Sequence, residues 1–158
     1  MFVKKTYISG FYLDKYNIEK NLSNYVFDDE FENNENPIDS LHTFLQGACD
    51  IFAESLNKKF GYQIYKISNK HYYCKAKKDN EIYYIDVRGI TNDFETFKKS
   101  LYDSNVDLQE EILVENEDFS NEHYEEASYY SNIVINEHPE WYDLNMLKTE
   151  KVNVIWEK

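Results

Sequence analysis

From Asp39 onward, apolar side chains fall at Leu41, Phe44, Leu45, Ala48, Cys49, Phe52, Ala53, Leu56 and Phe60. That is the i, i+3, i+4 spacing of a helix with one buried stripe, and Gly61 is a natural stop. The stripe permits an unbroken helix from Asp39 to Phe60. Gly47 also permits a break at Gln46–Gly47, with a second helix starting near Cys49. The period then changes. YQIYKI (62–67) reads as a strand, and HYYCKAK (71–77) with EIYYIDVRG (81–89) as a hairpin around KDN. NDFETFKKSLYD (92–103) carries an Asn-x-x-Glu capping box and predicts a helix. LQEEILVE (108–115) leans to strand. Ser120 is placed to cap a helix over 120–137 that ends before Pro139, and KVNVIWE (151–157) reads as a last strand. At the N-terminus, FVKKTYISGFYL predicts one or two short strands and DKYNIEKNL a short helix, with DDEFENNEN (28–36) a loop ending at Pro37. The order predicts a single α+β domain over 1–158: an antiparallel sheet packed against a central helix, with a further helix in the second half.

Composition supports a self-sufficient core. A chain of 158 residues buries roughly 68–70% of its unfolded surface. With 15 Tyr, 10 Phe and 2 Trp, it has enough aromatics for that core and some to spare for a surface. Two cysteines suggest a reducing compartment, not a disulfide framework. The N-terminus lacks the apolar region of a signal peptide, and no stretch approaches the ~18–20 apolar residues of a membrane span. These features predict a soluble protein of the cytoplasm, with no membrane partner.

Charge is unevenly placed. Residues 1–90 carry 13 acids and 12 bases, whereas 91–158 carry 17 acids and 5 bases. Between Ser100 and Leu147 there are 13 acids and no Lys or Arg. Direct phosphate contacts to nucleic acid need Lys and Arg, so this half is not expected to bind nucleic acid itself. An acidic half is either a solvated surface or one that docks on a positively charged partner. Aromatics among the acids, as in NEHYEEASYY and HPEWYD, suit the second reading, since aromatics supply contact area and acids supply steering. The residues expected at such an interface are Asp118, Glu122, Tyr124, Glu125, Glu126, Tyr129, Tyr130, Glu140 and Trp141. The Asn, Lys, Tyr, Glu and Ile bias suits an AT-rich Gram-positive genome or its phages. In size and acidity the chain is similar to phage anti-CRISPR proteins, a resemblance that implies an inhibitor of a nucleic-acid-processing enzyme such as a CRISPR effector nuclease.

Chemistry centres on Cys49, His71 and Asp86. A cysteine nucleophile needs a base to take its proton and a third group to hold that base. If Lys78-Asp79 forms the hairpin turn, His71 lies opposite Asp86. If Asp79-Asn80 does, the two are diagonal neighbours on one face, and only a three-residue loop separates them. The segments GACDIFAESLNKKFGYQIY, KHYYCK and YYIDVRGITNDFETF resemble papain-like and transglutaminase-like cysteine hydrolase domains of bacteria and phages over residues 46–97. The resemblance implies Cys49 as nucleophile, His71 as base and Asp86 as orienter of a hydrolase or acyl transferase, with Gln46 a candidate for the oxyanion hole. On the other reading, Cys49 is a buried, inert core residue and His71–Asp86 an ordinary strand pair. His71 and Cys74 have half the spacing of a metal site, but on a strand they face opposite ways, and no cofactor or metal is expected.

Overall fold

The computed structural model describes residues 2–6, 27, 40–68, 71–99, 111–119, 124–147 and 149–153. The chain is an α+β domain. A five-stranded antiparallel sheet has the order β5-β4-β3-β2-β6, formed by β2 (Gln63–Ile67), β3 (His71–Lys78), β4 (Glu81–Asp86), β5 (Gly89–Thr91) and β6 (Glu111–Leu113). A separate antiparallel pair joins β1 (Phe2–Thr6) to β7 (Thr149–Asn153). The helices are α1 (Thr43–Gln46), α2 (Cys49–Phe60), α3 (Phe94–Lys99), α4 (Tyr124–Glu137) and α5 (Pro139–Tyr142), followed by a 3-10 turn at Leu144–Met146.

Of the two courses open to the chain from Asp39, it takes the break at Gln46–Gly47. The N–H groups of Gly47 and Ala48 both donate to the Thr43 carbonyl at 2.8 Å, closing α1 after one turn. At Gly47 a Cβ would come within 3.2 Å of that carbonyl, so glycine lets the chain turn tightly enough to restart at Cys49. The helix α2 then runs to Gly61, whose left-handed backbone (φ 79°) returns its N–H to Asn57 O at 2.8 Å. Asp50 in its first turn and Lys58 and Lys59 in its last complement the helix dipole. Burial is broader than a stripe: Ile51 and Ser55 are covered along with Phe52, Ala53 and Leu56, because α2 lies between the sheet and α4.

The β3–β4 hairpin turns on Asp79-Asn80, both at positive φ (52° and 66°), the two-residue turn whose twist matches the strands. Pairing runs from Lys78↔Glu81 to Cys74↔Ile85. Strand alternation makes two faces. Ile64, Cys74 and Ile85 face α2, where the Cys74 thiol donates to Ala53 O at 3.3 Å. Tyr73 and Tyr84 face the other way, and their rings meet Phe97 of α3 at 4.8 and 5.4 Å. Tyr73, Tyr83 and Tyr84 are therefore core, and only Tyr72 of the four hairpin tyrosines is half-buried.

Of the expected boundaries, one shifts and two fall partly outside the described residues. Asp93, not Asn92, caps α3: its carbonyl accepts from Phe97 N and its carboxylate from Glu95 N. Asn92 instead donates to Glu81 at 2.7 Å. The strand of 108–115 is described only over Glu111–Leu113. Helix α4 is described from Tyr124, so Ser120, like 28–36 and DKYNIEKNL, lies outside the described residues. Beyond α4, Tyr62 OH donates to Tyr142 O (2.8 Å) and accepts from Leu144 N (2.7 Å), while Tyr142 OH donates to Val87 O (2.7 Å). These bonds pin the segment after α4 to the turn that follows β4.

Candidate functional site

The turn that pairs Asp86 with Gly89 forces Asp86 and Arg88 together. Arg88 N donates to Asp86 Oδ1 at 2.9 Å. Its side chain reaches back, Nε lying 3.1 Å from both carboxylate oxygens and Nη2 2.6 Å from Oδ2. Nη1 donates to Phe97 O at 3.0 Å, and the guanidinium lies 4.9 Å from the Phe97 ring centroid. From the first residue of β3, His71 Nε2 donates to Asp86 Oδ2 at 2.9 Å. Arg88 and His71 are wholly buried and Asp86 nearly so.

The electrostatics follow from that enclosure. Burial by itself would raise the Asp86 carboxyl, but Arg88 and His71 outweigh it and hold the group far below the usual carboxylate range. Burial lowers His71 against the opposing pull of Asp86, so the ring is neutral at pH 7. With Nε2–H committed to Asp86, Nδ1 forms no hydrogen bond of normal geometry among the described residues, although the Leu45 carbonyl of α1 lies close enough to the ring to favour its protonation.

Two of the three links of the expected triad are present. Cys49 stands at the first turn of α2, as the broken helix requires, and His71 and Asp86 are diagonal neighbours on one face, as an Asp79-Asn80 turn requires. The third link is not made. The Cys49 thiol sits by the backbone N–H of Tyr72, and burial pushes it up to about 11 despite that N–H. No hydrogen bond joins it to His71. Here α2 covers the Cys74 face, while the His71 ring stacks with Tyr73, meets Phe97 at 6.0 Å and has the Leu45 carbonyl of α1 beside it. A protonated thiol without a hydrogen bond to the base is not an activated nucleophile in this arrangement. The Asp86–Arg88–His71 contacts tie the start of β3 to the turn after β4.

Arg88 escaped sequence reasoning. The signal was compositional: it is the single arginine of the chain, against 16 lysines. Only guanidinium can grip a carboxylate through two nitrogens while a third reaches a carbonyl.

The expected docking residues divide. Asp118, Glu125 and Glu140 are exposed and Tyr129 is 39% exposed. Tyr124 is half-buried, its hydroxyl bonded to Glu54 and to Lys58 Nζ. Trp141 is half-buried, stacked on His138 at 3.7 Å, and His138 Nδ1 lies 3.1 Å from Glu140. Glu126 and Tyr130 are corrections: both are buried on the inner face of α4 beside Ala127 and Val134, out of a partner's reach. Glu122 lies outside the described residues. Exposed residues not anticipated are Ile112 and Leu113 of β6, with Glu115 and Glu117 beyond them. The run ILVENED carried that signal, being apolar and acidic with too short a strand to bury both.

Among the described residues, no group of three or more potential ligands is placed to hold a metal, and no helix is long and apolar enough to cross a membrane. No family model, no curated protein and no solved structure matches the chain.

Proposed function

We propose that the chain is a binding protein: an acidic inhibitor that docks on a basic protein surface, of the kind that nucleic-acid-processing enzymes such as CRISPR effector nucleases present to phosphate. It would do so on a scaffold resembling a cysteine hydrolase whose thiol is closed off. The observation that carries the reading is the mixed character of the acidic half. Its exposed acids, Glu115, Glu117, Asp118, Glu125, Glu137 and Glu140, share the surface with exposed Ile112, Leu113 and Tyr129. A surface that served only solubility would have no use for large apolar side chains there. The test is co-migration with purified basic nucleases, including CRISPR effectors, across ionic strength. Binding should weaken steeply between about 50 and 500 mM salt; indifference to salt would sink the reading.

A second reading, a cysteine hydrolase or acyl transferase, is favoured by one specific arrangement: Cys49 at a helix start together with a His71–Asp86 pair whose Nδ1 forms no hydrogen bond of normal geometry among the described residues. It requires a rearrangement that brings Sγ to Nδ1. Replacing Cys49 by Ala discriminates the two: the docking protein keeps its effect, and the hydrolase loses it.

A further inference from the structure

At the outer edge of the five-stranded sheet, β6 pairs with β2 through Lys66↔Ile112, flanked by Tyr65↔Leu113 and Ile67↔Glu111. The bond from Val114 N to Ile64 O at 2.9 Å fixes the phase of this ladder. Residues 112 and 114 turn their backbone groups inward to β2, and 111 and 113 turn theirs outward. Among the described residues no strand lies on that outer side. The edge is also apolar, with Ile112 42% and Leu113 38% exposed. An edge strand of this character invites pairing unless charge or proline blunts it.

Just beyond the edge a groove of about 340 Å³ opens between α2, β2 and the chain leaving β6, lined by Glu54, Lys58, Ile64, Leu113, Glu115 and Glu117 among others. Lys58 is already committed, 2.9 Å from both Glu54 and Tyr124 OH. Glu117 is engaged by Tyr72 OH and lies 3.8 Å from Lys66 Nζ. Glu115 is exposed and forms no ion pair among the described residues. Three carboxylates stand against two ammoniums, Lys58 on Glu54 and Lys66 on Glu117, which leaves Glu115 as the acid without an ion pair among the described residues, beside apolar walls at Ile64 and Leu113. That combination fits the stem and head of a lysine or arginine side chain.

We propose that β6 receives an extended basic segment of the partner as an added strand, and that a Lys or Arg of this segment enters the groove toward Glu115. The inference rests on the docking reading above and names its surface. Backbone pairing supplies the attachment, and the acids select the charge.

The probe is a fluorescently labelled peptide alternating Lys with Val, titrated against the full chain, with a Glu-for-Lys peptide as control. The basic peptide should bind, the acidic one should not, and the amides of Glu111 and Leu113 should gain protection from hydrogen exchange. Leu113→Pro removes an outward N–H while leaving the β2 ladder intact, and Glu115→Lys reverses the charge at the groove. Each should weaken binding about tenfold or more. If the peptide binds and neither variant weakens it, the β6 edge is overturned while acidic docking stands. The edge is overturned in the same way if the peptide fails but basic nucleases still bind with salt dependence. If neither peptide nor nuclease binds, both readings fall.

Discussion

Replacing Arg88 by Met tests whether the buried cluster is held by charge or merely by packing. Methionine keeps much of the volume, so the principal loss is the guanidinium: its contacts to both Asp86 oxygens and its bond to Phe97 O. Asp86 would retain the backbone N–H at position 88 and His71 Nε2–H. Breaking a buried pair by removing one partner costs about 3–5 kcal/mol, because the other charge stays enclosed. The dependence on pH sets this apart from a packing defect. In the parent, Asp86 is depressed below its unfolded value. Its stabilisation is present above the unfolded pKa of about 3.9 and is constant between about pH 5.5 and 7.5. Without Arg88, burial is expected to outweigh what His71 and the backbone N–H still supply, and the carboxyl to rise above its unfolded value. A raised carboxyl costs stability progressively as pH rises, so the deficit of the variant should be largest at pH 7.5 and shrink toward pH 5.5. Urea titrations followed by far-ultraviolet circular dichroism at the two pH values measure it. Adding Asp86→Leu to Arg88→Met should recover part of the loss, a coupling that independent sites would lack. A deficit below about 1 kcal/mol, or one that is the same at both pH values, would refute the assignment of a charge-held cluster.

Other expectations are independent of that one. His71 is lowered by burial, so the folded state resists its protonation, and parent stability should fall as pH drops through about 6.5; His71→Gln should flatten that part of a melting-temperature profile. Cys49, held at about 11, should resist iodoacetamide in the folded protein at neutral pH and react at a normal rate in urea; rapid labelling of the folded state, read by mass spectrometry, would reopen the hydrolase reading. Asn80 holds φ 66° in the hairpin turn, so Asn80→Val should cost about 1–2 kcal/mol in a denaturation midpoint while Asn80→Gly is neutral or stabilising. Leu56 is fully buried between α2 and its neighbours, and Leu56→Ala should cost about 2–5 kcal/mol.

Local rules carried far along this chain. The 3.6 period located the apolar stripe that α2 buries, Gly61 ended it, and the alternation on either side of KDN placed the hairpin, two of whose three simplest registers make His71 and Asp86 neighbours; the observed Asp79-Asn80 turn is one of these. Those are short-range matters: a turn's backbone preference fixes which residues face each other, and the neighbours on one face then follow from the period of two. The cap of α3 went astray for an equally local reason, since two adjacent residues, Asn92 and Asp93, were both able to cap and a partner 11 positions away, Glu81, claimed one of them.

What the amino-acid order determined by itself was most of the elements, a His71–Asp86 contact in two of three registers, and the segregation of charge, although 81–89, read as one strand, turns at Val87-Arg88 into a separate β5. Each of these depends on neighbours within a few residues or on simple counting. Only the tertiary structure decided that no hydrogen bond joins Cys49 to His71, because that depends on how the start of α2 is laid against the sheet, which the period of either element leaves open. The same holds for the docking surface. The spacing along α4 offered Glu126 and Tyr130 beside Glu125 and Tyr129, and packing against the rest of the domain divided them, burying the first pair and exposing the second. Arg88 marks the boundary between the two kinds of knowledge: its singularity was visible in the composition, but its partner at Phe97 came from an element the chain reaches only after turning back on the sheet.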